Sequence, residues 1–137
     1  MALVFIAVGA LTLFVVPYLL LPPMLRGVTA GGQGDPCHPN QFWENLPANS
    51  PSRPHGSPEL NDRLSHEFPP GTPESKLVHA LDRLGFEALP PCENNTSIHS
   101  AFFRRKFPLE IWARVYWKVD VNDAIVWTRG DVAYTFL

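Results

Sequence analysis

The 137-residue chain has no excess of either charge sign: 11 lysines and arginines face 13 aspartates and glutamates, leaving −2 at pH 7 with histidine neutral. That balance supplies no field to gather nucleic acid, so no nucleic-acid partner is expected. Cysteine is scarce as well. Its two copies, Cys37 and Cys92, lie far apart, which excludes a Cys-x-x-Cys redox motif and leaves one disulfide or two thiols. The Cys37-His38 pair is not followed by a second pair at zinc-ligand spacing, so no metal is expected. The sequence also lacks a Gly-x-Ser-x-Gly elbow, a His-Glu-x-x-His helix, a phosphate loop and a dinucleotide fingerprint. No catalytic residue, cofactor or small-molecule substrate is therefore assigned, and the protein is expected not to be an enzyme. His66 and His79 fall at exposed helix positions and read as solvated.

Charge is absent altogether from Leu3 to Leu21, a stretch of Leu, Val, Phe, Ala and Ile. It is long enough to cross a hydrocarbon core, which needs about 20 residues of helix, and predicts a transmembrane anchor over residues 1–26. Pro17 would kink that helix, Pro22-Pro23 would stop it, and Tyr18 would lie at the interface. The alternative is a signal peptide cleaved near Ala30, after the small residues Val28-Thr29-Ala30. The apolar run exceeds a usual signal core, and no Lys or Arg precedes it. Arg26 favours a cytoplasmic C-terminal domain by the positive-inside rule, whereas the Ala30 option and the two cysteines favour the exported side. We take the exported side: a single-pass protein of the inner membrane with its domain in the periplasm.

Residues 27–56 are rich in Pro, Gly and Asn and predict a linker. Phe42, Trp43 and Leu46 form its one apolar cluster, suited to docking on the domain or to a headgroup layer. The folded domain, 57–137, opens with two helices. Ser57-Pro58-Glu59 and Thr72-Pro73-Glu74 repeat one order of cap, proline and acid. The first helix carries Leu60, Leu64 and Phe68 and ends at Pro69-Pro70-Gly71. The second carries Leu77, Leu81 and Leu84 and ends at Gly85, so the two form a helical hairpin.

After Gly85 the period changes from helical spacing to two: Ser97–Arg105, Glu110–Asp120, Ala124–Arg129 and Val132 to the terminus read as strands of an antiparallel meander of three or four. Ile111, Ala113, Val115, Trp117 and Val119 form the core face of the clearest strand, and Trp112, Arg114, Tyr116 and Lys118 its other face. A three-residue loop after Asp120 would place Ile125 and Trp127 with Trp117 and Val119. Thr128-Arg129-Gly130-Asp131 reads as a further turn, which accounts for the Arg-Gly-Asp triplet without an adhesive role. Arg104-Arg105-Lys106 reads as a solvated strand end, with attraction to anionic lipid as the functional alternative. Asn94-Asn95-Thr96 matches a glycosylation acceptor, meaningful only in a eukaryotic secretory route.

The expected fold class is thus α+β: an N-terminal transmembrane helix, then a helical hairpin packed on the meander sheet. Gly71-Thr72, the Leu77 and Leu81 stripe and the closing Leu84-Gly85 resemble the helix grammar of the BamE (SmpA/OmlA) family and of β-lactamase-inhibitor-like domains. The resemblance covers residues 57–137 and implies a non-enzymatic, envelope-facing domain that binds another protein. Asp35-Pro36-Cys37 departs from the lipobox common in that family.

Trp112, Arg114, Tyr116 and Lys118 combine aromatic and cationic side chains in the manner of a protein-binding hot spot, unless a helix or the Phe42-Trp43 cluster covers them. The expectation is a membrane-anchored binding module, an accessory or assembly factor for another membrane protein, with the bilayer as its second partner. The alternatives are a constitutive small subunit of a larger membrane complex, held by its span, and a secreted domain. A Cys37–Cys92 disulfide is expected to pin the linker to the domain, stabilising by about 3 to 4 kcal/mol on the loop-closure model.

Overall fold

The computed structural model describes residues 21–29, 36–37, 57–106 and 110–135. Leu60 and Leu64 stand one turn apart on α1 (Pro58–Glu67), and Leu77 and Leu81 one turn apart on α2 (Glu74–Arg83). This spacing places each pair on one helical face, and all four side chains are buried with Phe68. They cover one side of an antiparallel sheet of β1 (Glu87–Leu89), β2 (Ile98–Arg105), β3 (Glu110–Val119) and β4 (Ile125–Thr135), ordered β1-β2-β3-β4. Alternation along β3 sends Ile111, Ala113, Val115, Trp117 and Val119 into the core between sheet and helices. The α+β class and the meander therefore stand.

The first element of the expected fold is corrected. The described residues contain two helices of ten residues each, and no helix among them is long and apolar enough to cross a membrane. Residues 1–20, which carry most of the expected span, lie outside the described residues, as does the Phe42, Trp43 and Leu46 cluster. The far end of that span, read as leaving a bilayer, packs on the domain. A 3-10 turn at Pro23–Leu25 buries Met24 and Leu25, and Val28 joins them in the core. Polar contacts hold the segment down: Arg63 donates to Met24 O at 2.8 Å, Thr29 Oγ1 to Glu59 Oε2 at 2.7 Å, and Tyr134 Oη to Val28 O at 2.5 Å. The physical reason is that α1, packed on β4, still has apolar surface beside it, and these side chains cover it.

Gly130 is where local reading and structure part furthest. No turn forms at Thr128–Asp131; β4 runs unbroken from Ile125 to Thr135. Gly130 lies across from Val115, under α1. A Cβ there would overlap Leu60 and come within 3.1 Å of Leu64 Cδ1, so glycine lets the helix sit on the strand. Its backbone is bonded to the helix start as well: Ser57 N–H donates to Gly130 O at 3.0 Å, and Gly130 N–H donates to Asn61 Oδ1 at 2.7 Å.

Two further expectations change for local reasons. Val119 pairs with Ile125 and Lys118 with Trp127, so Val126 is an extra residue in a β-bulge. Ile125 reaches the core as expected, but the bulge turns Trp127 to the opposite face, and Thr128 stands across from Trp117. Thr72 does not cap α2 with its hydroxyl, which donates to Pro69 O at 2.7 Å; Pro73 takes the cap position. The chain here pairs with β4 instead. Gly71 N–H donates to Ile125 O, Ile125 N–H to Thr72 O, and Glu74 N–H to Asp123 O, at 2.7, 2.8 and 2.9 Å. Positive φ at Gly71 and Gly85, 89° and 85°, marks the two sharp exits that glycine permits.

Cys37 and Cys92 form a disulfide across 55 residues, with Cα atoms 5.1 Å apart. It fastens the Pro36-Cys37 segment to the turn between β1 and β2.

Candidate interaction surfaces

The sheet face away from the helices brings the predicted residues together. Trp112, Arg114, Tyr116 and Lys118 project there from β3, and register places Arg104, Phe102, Ser100 and Ile98 beside them from β2. Trp127, Arg129, Asp131 and Ala133 complete the face from β4. Its centre is a stack of rings and guanidinium groups. The Arg114 guanidinium lies 5.6 Å from the Phe102 ring centroid and 5.8 Å from that of Tyr116, while Arg129 lies 4.9 Å from Tyr116 on its other flank. Arg114 Nη1 also donates to Tyr116 Oη at 3.2 Å. Such contacts hold cations over the negative ring faces and fix otherwise mobile arginines.

Exposure divides these residues. Tyr116 is 2% exposed and forms the platform, whereas Trp112, Arg114 and Lys118 are half-buried and present the surface. Arg129 and Asp131, outer members of the Arg-Gly-Asp triplet, are 3.7 Å apart as an ion pair, and Asp131 is buried. The triplet belongs to the sheet rather than to an adhesive loop. Phe102, Arg129 and Asp131 were missed in the sequence because they join the site through strand register, which has no local signal.

The cationic run does not act together. Arg104 points to the outer face and donates through Nε to Glu110 Oε1 at 2.8 Å, Arg105 points to the opposite face across from Ile111, and Lys106 is exposed beyond the strand. His66 and His79 are exposed, as their helix positions predict. Asn94 is exposed at the tip of the turn after Cys92, and Asn95 Oδ1 accepts from Ser97 N–H and Oγ–H at 3.2 and 2.6 Å. Among the described residues, no group of three or more His, Cys, Asp or Glu side chains converges as a metal site.

On the helix side, a groove of about 320 Å³ runs between α2 and the β1 end of the sheet. Its floor is the cross-strand pair Ala88 and Ala101, with Phe86, Val78 and Trp117 as walls. Two alanines where larger residues would fill the layer leave this space open. Ser75, His79 and Asp82 form a polar rim along α2. Trp117 is fixed from behind: its indole N–H donates to Glu74 Oε1 at 2.6 Å, and His99 Nδ1 meets the same oxygen. His99 Nε2 donates to Thr96 O at 2.9 Å. Nothing in the sequence pointed to this groove, since β1 spans only three residues and its alanines carry no pattern.

No protein-family model, curated protein or solved structure matches the chain.

Proposed function

We propose that the protein is a non-enzymatic binding module of an exported, oxidising compartment, acting as an accessory or assembly factor for another protein. The observation that carries this reading is the Phe102–Arg114–Tyr116–Arg129 stack, flanked by half-buried Trp112 and Lys118. Aromatic residues and arginine, held rigid before contact, lose little conformational freedom on binding and dominate protein interfaces. The Cys37–Cys92 disulfide supports the compartment, because such bonds persist in secreted and periplasmic proteins and are rare in the cytosol. A partner surface carrying carboxylates would complement Arg114 and Lys118.

The test is co-purification of the intact protein from its native host with two substitutions together, Trp112→Ala and Arg114→Gln. Tyr116 is left in place because it is the buried support of both guanidinium groups. The expected result is loss of the partner with an unchanged circular dichroism spectrum. Retention of the partner by the folded double variant would remove the outer face from the reading.

A further inference from the structure

The two outer strands of the sheet end differently. β4 is closed where Ile125 bonds to Gly71 and Thr72 and where Gly130 bonds to Ser57 and Asn61. β1 borders no further strand among the described residues, and Glu87 and Ala88 are exposed on it. An exposed strand edge presents backbone donors and acceptors to any extended chain that approaches it. Here that edge lies beside an open apolar groove, and Ala88 belongs to both.

We propose that β1 and the groove beside it receive an extended segment of a partner protein, which pairs with β1 as a fifth strand and inserts an apolar side chain next to a lysine or arginine. Main-chain pairing supplies affinity in this mode, and the pocket for an alternate side chain supplies specificity. The groove is of a size to take one apolar side chain over the Ala88–Ala101 floor, against Val78, which is 37% exposed, and Trp117. Asp82 is the only carboxylate among the described groove-lining residues, and Ser75 and His79 add hydrogen-bonding capacity on the same helix. Glu87 stands on β1 itself. Register pairs Glu87 with Phe102, so Glu87 faces the outer side of the sheet, opposite Ala88 and the groove; in an added strand the residue next to the inserted side chain points to that same side, where Glu87 favours a cation. The proposal deepens the reading of the protein as a binding module, yet it rests on a different surface from the outer-face stack.

The experiment titrates the full oxidised chain with a capped peptide of alternating threonine and valine, carrying one central leucine followed by lysine, and reads amide chemical shifts and heat. Saturable shifts centred on Glu87–Leu89, Val78 and Asp82 are expected. Methylating alternate peptide amides should abolish binding, since it removes the strand hydrogen bonds and keeps the side chains. Ala88→Leu, at an exposed position, should fill the groove and weaken binding about tenfold. Glu87→Gln should weaken the lysine peptide about threefold and leave a glutamine counterpart unchanged. The Trp112→Ala, Arg114→Gln variant should bind the peptide normally, so that failure of the outer-face reading and failure of this one are told apart. Absence of binding, or shifts confined to β4 or the outer face, would overturn the proposal. So would undiminished binding of the methylated peptide, equal affinity for acetyl-leucine amide alone, or β1 shifts that follow protein concentration without peptide. The last two outcomes would identify a small-molecule cavity and self-association, respectively.

Discussion

β4 and β1 are both terminal strands of one sheet, but they solve the edge problem by opposite means. β4 is eleven residues long and is closed by its neighbours, with Ser57 and Asn61 at Gly130 and the Gly71-Thr72 segment at Ile125. β1 is only three residues long, is exposed, and meets α2 across the open groove, with a disulfide in the turn that follows it. Short edges and covered edges both resist unwanted pairing, but only the short one stays open to a chosen partner. The closed side of this molecule is built from packing, the open side from a covalent fastening and a gap.

Breaking the fastening should have the largest effect. Replacing Cys92 with Ser, or reducing the bond, is expected to lower unfolding free energy by about 2 to 4 kcal/mol, read as a shift of the urea midpoint. The second test attacks the closed side. Gly130→Ala forces a Cβ into Leu60 and should cost about 1 to 3 kcal/mol, with hydrogen-exchange protection lost first along α1 and β4. Asn61→Ala, which removes the acceptor of the Gly130 N–H, should act in the same direction at about 1 kcal/mol. The smallest effect belongs to the open side: Ala88→Leu should move stability by no more than about 0.5 kcal/mol. Equal sensitivity at Ala88 and Gly130 would erase the distinction between the two edges.

The helices were legible because their determinants are local. Leu60 with Leu64 and Leu77 with Leu81 announce their faces, and prolines mark both starts. The outer face of β3 was legible for the same reason, since alternation alone puts Trp112, Arg114, Tyr116 and Lys118 on one side. What could not be read depends on residues distant in sequence. Gly130-Asp131 has the composition of a turn, yet glycine is present because Leu60, seventy positions earlier, occupies the space its side chain would need. The bulge at Val126 exchanges the face of Trp127 through a single added residue. Thr72 has the chemistry of a cap but lies where the backbone pairs with Ile125, and the pairing governs. The groove arises from two alanines brought opposite each other by register, so neither one signals it alone.

Trp117 joins α2 to the sheet in a way that spectroscopy can follow. Its indole N–H is held by the Glu74 carboxylate, its ring meets the His99 imidazole edge-on at 5.9 Å between centroids, and it lines the groove wall. Indole emission depends on the polarity around the ring, so this tryptophan is an optical gauge placed by the fold itself. Separation of α2 from the sheet would shift its emission toward the red, whereas insertion of an apolar side chain into the groove would shift it toward the blue.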